Sequence, residues 1–165
     1  MVVIPSDVSF RYSGGAGNQN PFASLGGVIS STQMKDDMLD ALFDPVSINQ
    51  RVTGHTDYYC IYVRNGSGTS TMTGTKVWFT VVTTYISMGL GTAPVNGVEQ
   101  TIGLVDTVPP AGIIFSQPLS ENNSLQIGNL PPGQHKSVWF RRTIPANAPP
   151  TGSILTRFKV SAVNA

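Results

Sequence analysis

The sequence predicts an all-β chain: an antiparallel β-sandwich with an extended N-terminal arm and one short helix. Three observations carry this reading. From residue 57 onward, apolar and polar residues alternate with a period of two in several short runs. Gly-, Pro- and Asn-rich turn signals separate those runs. Only 12% of the 165 residues are charged, against roughly 25% in an average soluble protein. The length suits one domain, and no polar linker divides it.

Residues 1–50 read as an arm or strap. Val8-Ser9-Phe10-Arg11-Tyr12 alternates and predicts a short strand. Ser13 to Pro21 is rich in Gly and Asn, offers no core residue, and reads as an extended arm that orders on contact with a neighbour. Residues 25–29 predict another short strand. Over 32–43, Met34, Met38 and Leu42, with Leu39 and Phe43, recur at helical spacing. Thr32, Asp36 and Asp37 suit a helix start, and Pro45 lies just past its end.

Residues 51–165 read as the sandwich. Residues 57–64 are rich in Tyr, Ile and Val and run into the turn Asn65-Gly66-Ser67-Gly68. Strands are expected over 75–84, 86–90, 98–105, 112–115 and 125–127. Asn129-Leu130-Pro131-Pro132-Gly133 is the next turn, because Pro131 fixes one dihedral and Gly133 admits positive φ. Strands over 136–144 and 154–163 close the chain.

Chemistry is sparse. Cys60, the single cysteine, lies in a strand-like run and reads as a small buried hydrophobe. His55 and Asp57 share a face of a strand, but the sequence nominates no third ligand, so no metal is expected. His135 sits beside a turn and reads as a surface residue. Gly14-Gly15-Ala16-Gly17 lacks the Lys that completes a phosphate loop. Asp36 and Asp37 are adjacent and diverge on a helix. No catalytic set, cofactor or enzyme activity is expected.

The formal net charge of +1 is unevenly spread. Asp36, Asp37, Asp40 and Asp44 gather near the expected helix, whereas Lys136, Arg141, Arg142, Arg157 and Lys159 occupy the last thirty residues without an acid. This suggests two faces of opposite sign, and the cations are too dispersed for a nucleic-acid groove. On the strand at 136–144, Trp139 and Arg141 share one face and Phe140 and Arg142 the other. Either Trp139 and Arg141 form an exposed interface pair, or the N-terminal strap covers Trp139. The N-terminus lacks the features of a signal peptide, and no run approaches the roughly 20 apolar residues of a membrane helix.

Two resemblances add to this. The order of Tyr58 to Asn65, Lys76-Val77-Trp78-Phe79, Ile127 to Gln134 and Val138-Trp139-Phe140 is similar to immunoglobulin-like, cell-adhesion-related modules of bacteria. That resemblance implies fold alone. Over nearly the whole chain, Tyr12-Ser13-Gly14-Gly15, Asn20 to Gly27 and Leu130 to Arg142 resemble small structural proteins of tailed bacteriophages. It implies a virion component. The chain is expected to be made in the host cytoplasm, to bind other virion proteins and to form a homo-oligomer, and its charge and apolar runs predict no nucleic-acid or membrane partner. Among virion components a capsid decoration (cement) protein is preferred. A tail, baseplate or collar module is one alternative. A carbohydrate-binding adhesion module, with Trp78, Tyr62 or Tyr85 as its aromatic platform, is another. Tyr12, Gly14, Gly15, Asn18, Asn20, Phe22, Trp139, Arg141 and Arg142 are the expected interface residues.

Overall fold

The structure, a computed structural model, describes residues 7–34, 42–149 and 156–164. Nine strands occur among these residues: β1 (Val8–Tyr12), β2 (Gly26–Gly27), β3 (His55–Asn65), β4 (Met72–Val81), β5 (Ile86–Leu90), β6 (Glu99–Thr101), β7 (Leu125–Leu130), β8 (His135–Ile144) and β9 (Arg157–Asn164). The expected all-β sandwich forms. One antiparallel sheet has the order β1-β3-β8-β5 and a second has β7-β4-β9, while β2 and β6 pair as a small ribbon.

The period-two alternation decides what lies between the sheets. Tyr59, Ile61 and Val63 of β3, Val138 and Phe140 of β8, and Ile86 and Met88 of β5 join one buried cluster. Met72, Val77 and Phe79 of β4 and Ile127 and Leu130 of β7 complete it from the other sheet. Phe158 of β9 packs against Phe10 and Phe140, with ring centroids 4.8 and 5.2 Å away.

The other face of the four-stranded sheet is also covered. Residues 13–31 and 91–116, with the β2–β6 ribbon, lie over it and bury a second cluster of Cys60, Trp139 and Ile102, joined by Leu25, Tyr58, Ile113 and Phe115. A strand buried on both faces must be apolar at consecutive positions. This accounts for Tyr58-Tyr59-Cys60-Ile61-Tyr62-Val63 and for the scarcity of charge. The cover approaches so closely that glycine is required at Gly26. With φ +90, a Cβ there would sit 1.8 Å from the Gln100 carbonyl oxygen and 3.1 Å from the Trp139 ring.

Most of the helix expected over 32–43 falls on residues 35–41, outside the described residues. Its described start is extended, with Gln33 bridged to Arg11 and the Met34 amide donating to Phe10 over 2.8 Å. The described helix, α1, is Ile48–Thr53. Ser47 caps it: its hydroxyl accepts from the Gln50 amide, and the Gln50 side chain accepts from the Ser47 amide. Residues 112–115 form no strand, and Ser116 alone bridges to Met88.

Candidate functional site

The covering layer carries seven of the twelve large exposed apolar side chains among the described residues: Phe22, Val28, Val98, Leu104, Val105, Val108 and Ile114. Its loops bend at glycines and leave a cleft of about 840 Å³. Gly14, Gly15, Gly26, Gly27 and Gly103 line its walls, and Phe22, Val28, Val98 and Leu104 present large apolar side chains. Leu104 is 99% exposed and Phe22 39%. Ile114, Leu119 and Val105, also exposed, belong to the same layer or the segment just after it. In soluble proteins, large exposed apolar patches mark binding sites more often than chance placement does.

The expected interface residues divide in two. Gly14, Gly15 and Phe22 line the cleft. Asn18 and Asn20 lie in the same strap and fold it internally. The Asn18 amide donates to the Ser13 and Asn20 carbonyls, at 2.6 and 3.0 Å, and Asn20 accepts from the Phe22 amide at 3.0 Å. The arm is thus folded by hydrogen bonds of its own. Ser13 donates to the Cys60 carbonyl at 2.7 Å, and the Cys60 amide donates to Ser24 at 2.7 Å, so the strap continues the hydrogen bonding of β3 past the end of β1.

Tyr12, Trp139 and Arg142 do not lie on the surface where an interface needs them. Tyr12 is buried, and Trp139 is 0% exposed beneath the strap and the 91–116 segment. Arg141 shares the Trp139 face, yet it donates to Ser87 at 3.1 Å and lies over the Phe115 ring at 4.9 Å. Of the aromatic platform residues, Trp78 and Tyr62 are buried, and Tyr62 spends its hydroxyl on Gly27 and the Glu99 amide.

Arg142, 3% exposed, faces the space between the sheets beside Phe140. The β3–β8 register sets it opposite Asp57, and both Asp57 oxygens accept from its guanidinium. It also donates to the Asp44 carbonyl at 2.7 Å and to the Asp44 carboxylate at 3.0 Å, over the Phe43 ring at 4.8 Å. An acid of the anionic stretch thus meets a cation of the basic strands inside one chain, not across a subunit boundary. Burial raises the Asp57 carboxyl above its usual range despite Arg142.

Asp106 supplies the third ligand-type group that the His55–Asp57 pair lacked. The three ligand atoms lie within 4.8 Å of one another, and His55 Nε2 is 3.6 Å from Asp57. The carboxylates have other engagements: Asp57 holds Arg142, and Asp106 accepts from the Tyr59 hydroxyl at 2.7 Å. The cluster works as a buried polar fastener that ties residues 42–44 and the loop after β6 to one end of the sandwich.

A second network surrounds Glu99, which is almost fully buried. Oε2 accepts from Ser137 and the Ala93 amide, and Oε1 from Thr92 and the Gln100 amide. Burial alone would raise this carboxyl, but the four donors outweigh it and hold it below its ordinary 4.5. A lowered folded value gives stability that is complete above the unfolded value and drains as pH falls through the folded one. Glu99→Gln turns one acceptor oxygen into a donor, and we expect a loss of about 1–3 kcal/mol at pH 7. Urea unfolding at pH 7 and pH 3 checks this, because the gap between the wild type and the variant narrows at pH 3. Cys60, fully buried, has its thiol pushed up by burial and packs as the expected small hydrophobe.

Comparison of the chain with protein-family models, curated proteins and solved structures finds no match.

Proposed function

We propose that this chain is a structural protein of a bacteriophage particle, a decoration protein that binds and stabilises neighbouring capsid subunits. The observation that carries this reading is the glycine-walled cleft with Phe22, Val28, Val98 and Leu104 at the surface of a sheet already packed on both faces. The rigid sandwich holds the cleft in place, so docking a neighbour's apolar segment costs little reordering. Each contact of standard size buries on the order of 1,600 Å². Repetition over a particle lets weak contacts add through avidity. The resemblance of residues 12–15, 20–27 and 130–142 to phage structural proteins supports the same reading.

Quantitative mass spectrometry of purified particles tests it. A decoration protein is present in many copies, comparable with the major capsid subunit. A few copies per particle would move the chain to the tail, baseplate or collar. Particles free of the chain, from cells that accumulate it folded, would overturn the reading.

A further inference from the structure

A second cleft, of about 410 Å³, opens between the covering layer and one end of the four-stranded sheet. Arg11, Arg64 and His135 reach it from three adjacent strands of the four-stranded sheet, and Ser30, Ser31 and Gly133 close its sides. Register explains the convergence: Arg64 pairs with Ser9 on β1 and with His135 on β8, and Arg11 lies two residues beyond Ser9 on the same face.

No carboxylate lines this cleft, and neither arginine has an ion pair among the described residues. Arg11 donates from one terminal nitrogen to the Ser31 carbonyl, but its Nε is buried and has no hydrogen-bond partner among the described residues. A buried guanidinium N–H facing no acceptor is costly to leave unmade. Burial lowers the Arg11 value, and the nearby charge of Arg64 lowers it further. Two like charges therefore converge on a space that an acceptor with negative charge would fill.

We propose that this cleft binds an oxyanion, a carboxylate or a phosphate group, between the guanidinium groups of Arg11 and Arg64. Such groups accept from a guanidinium in a planar, paired geometry. The carboxylate could come from an acidic side chain of a neighbouring subunit and the phosphate from solution. The inference does not depend on the virion reading, because it concerns the isolated protein.

The test is isothermal titration of the purified full chain with inorganic phosphate and, separately, N-acetylaspartate amide, at matched ionic strength. Side-chain Nε–H resonances of arginine are followed by NMR in parallel. Saturable binding of either probe is expected, with the Arg11 resonance moving, and the tighter probe names the source. Arg64→Gln weakens that binding about tenfold or more, because a charge-assisted pair is lost. Lys76→Gln, on the opposite sheet, leaves it unchanged. Arg64 is only partly buried, so its variant tests the cleft without touching the core, and Arg11→Gln repeats the test from the other side. No heat beyond that of matched sodium chloride, or equal affinity in wild type and Arg64→Gln, would overturn the proposal.

Discussion

Arg142→Met is expected to lower the unfolding free energy by about 3–5 kcal/mol, because it strands a buried carboxylate. Asp57 has no exposed surface, and Arg142 is its main source of positive charge. The same guanidinium holds Asp44 and lies over Phe43, which in turn packs edge-on against Tyr59 at 5.3 Å. Loss of the arginine therefore frees residues 42–44 as well as the charge. The pH dependence has a definite sign. In the variant the Asp57 carboxyl is raised further, so stability is retained where it is protonated and falls as pH rises through its folded value. The gap from wild type is largest at neutral pH and shrinks toward pH 4. The double variant Asp57→Leu, Arg142→Met recovers much of the loss, since apolar residues of similar volume replace a pair that was costly to desolvate. Urea denaturation of the three variants at two pH values measures this.

Trp139→Ala is expected to cost about 3–5 kcal/mol, the range for emptying a large buried aromatic site. Its distinguishing effect is local. Trp139 joins the sheet to the covering layer through Leu25, Ile102, Ile113 and Phe115, but it lies outside the inter-sheet core. Limited proteolysis should cut residues 13–31 and 91–116 in the variant while β3, β4 and β8 stay protected. Trp139→Phe costs less, about 1–2 kcal/mol, because it keeps a ring and removes an indole N–H that has no partner among the described residues. If Trp139→Ala opened both sheets together, the covering layer would be an inseparable part of the core.

Much of the fold is legible in the residues themselves. Alternation places β1, β3, β5 and β8 within a few residues, and Asn65-Gly66 marks the end of β3. It also sets Phe140 and Arg142 on one face and Trp139 and Arg141 on the other. What alternation does not reveal is how much covers the outer face. Residues 91–116 have too little periodicity to announce a layer, so Trp139 remained open to two readings, and the strap reading is the correct one. Asp57 opposite Arg142 depends on strand register, which hairpin turns do not fix when the strands are far apart in sequence. Asp106 beside Tyr59 comes from a loop and has no local signal. The helix at Ile48–Thr53 did have one, the Ser47–Gln50 capping box, but its polar, short sequence lacks an apolar stripe. In the cleft, Gly14, Gly15 and Phe22 are among the residues expected at an interface, whereas Val98 and Leu104 are placed there only by the fold.

The claim that the apolar cleft docks neighbouring virion subunits is tested most directly by immunogold electron microscopy of purified particles, comparing wild type with Val98→Asp, Leu104→Asp. Both side chains are exposed, so the double variant should fold as the wild type does, checked by its thermal unfolding. The account predicts regular labelling of wild-type particles and its loss in the variant. Equal labelling of both would contradict it.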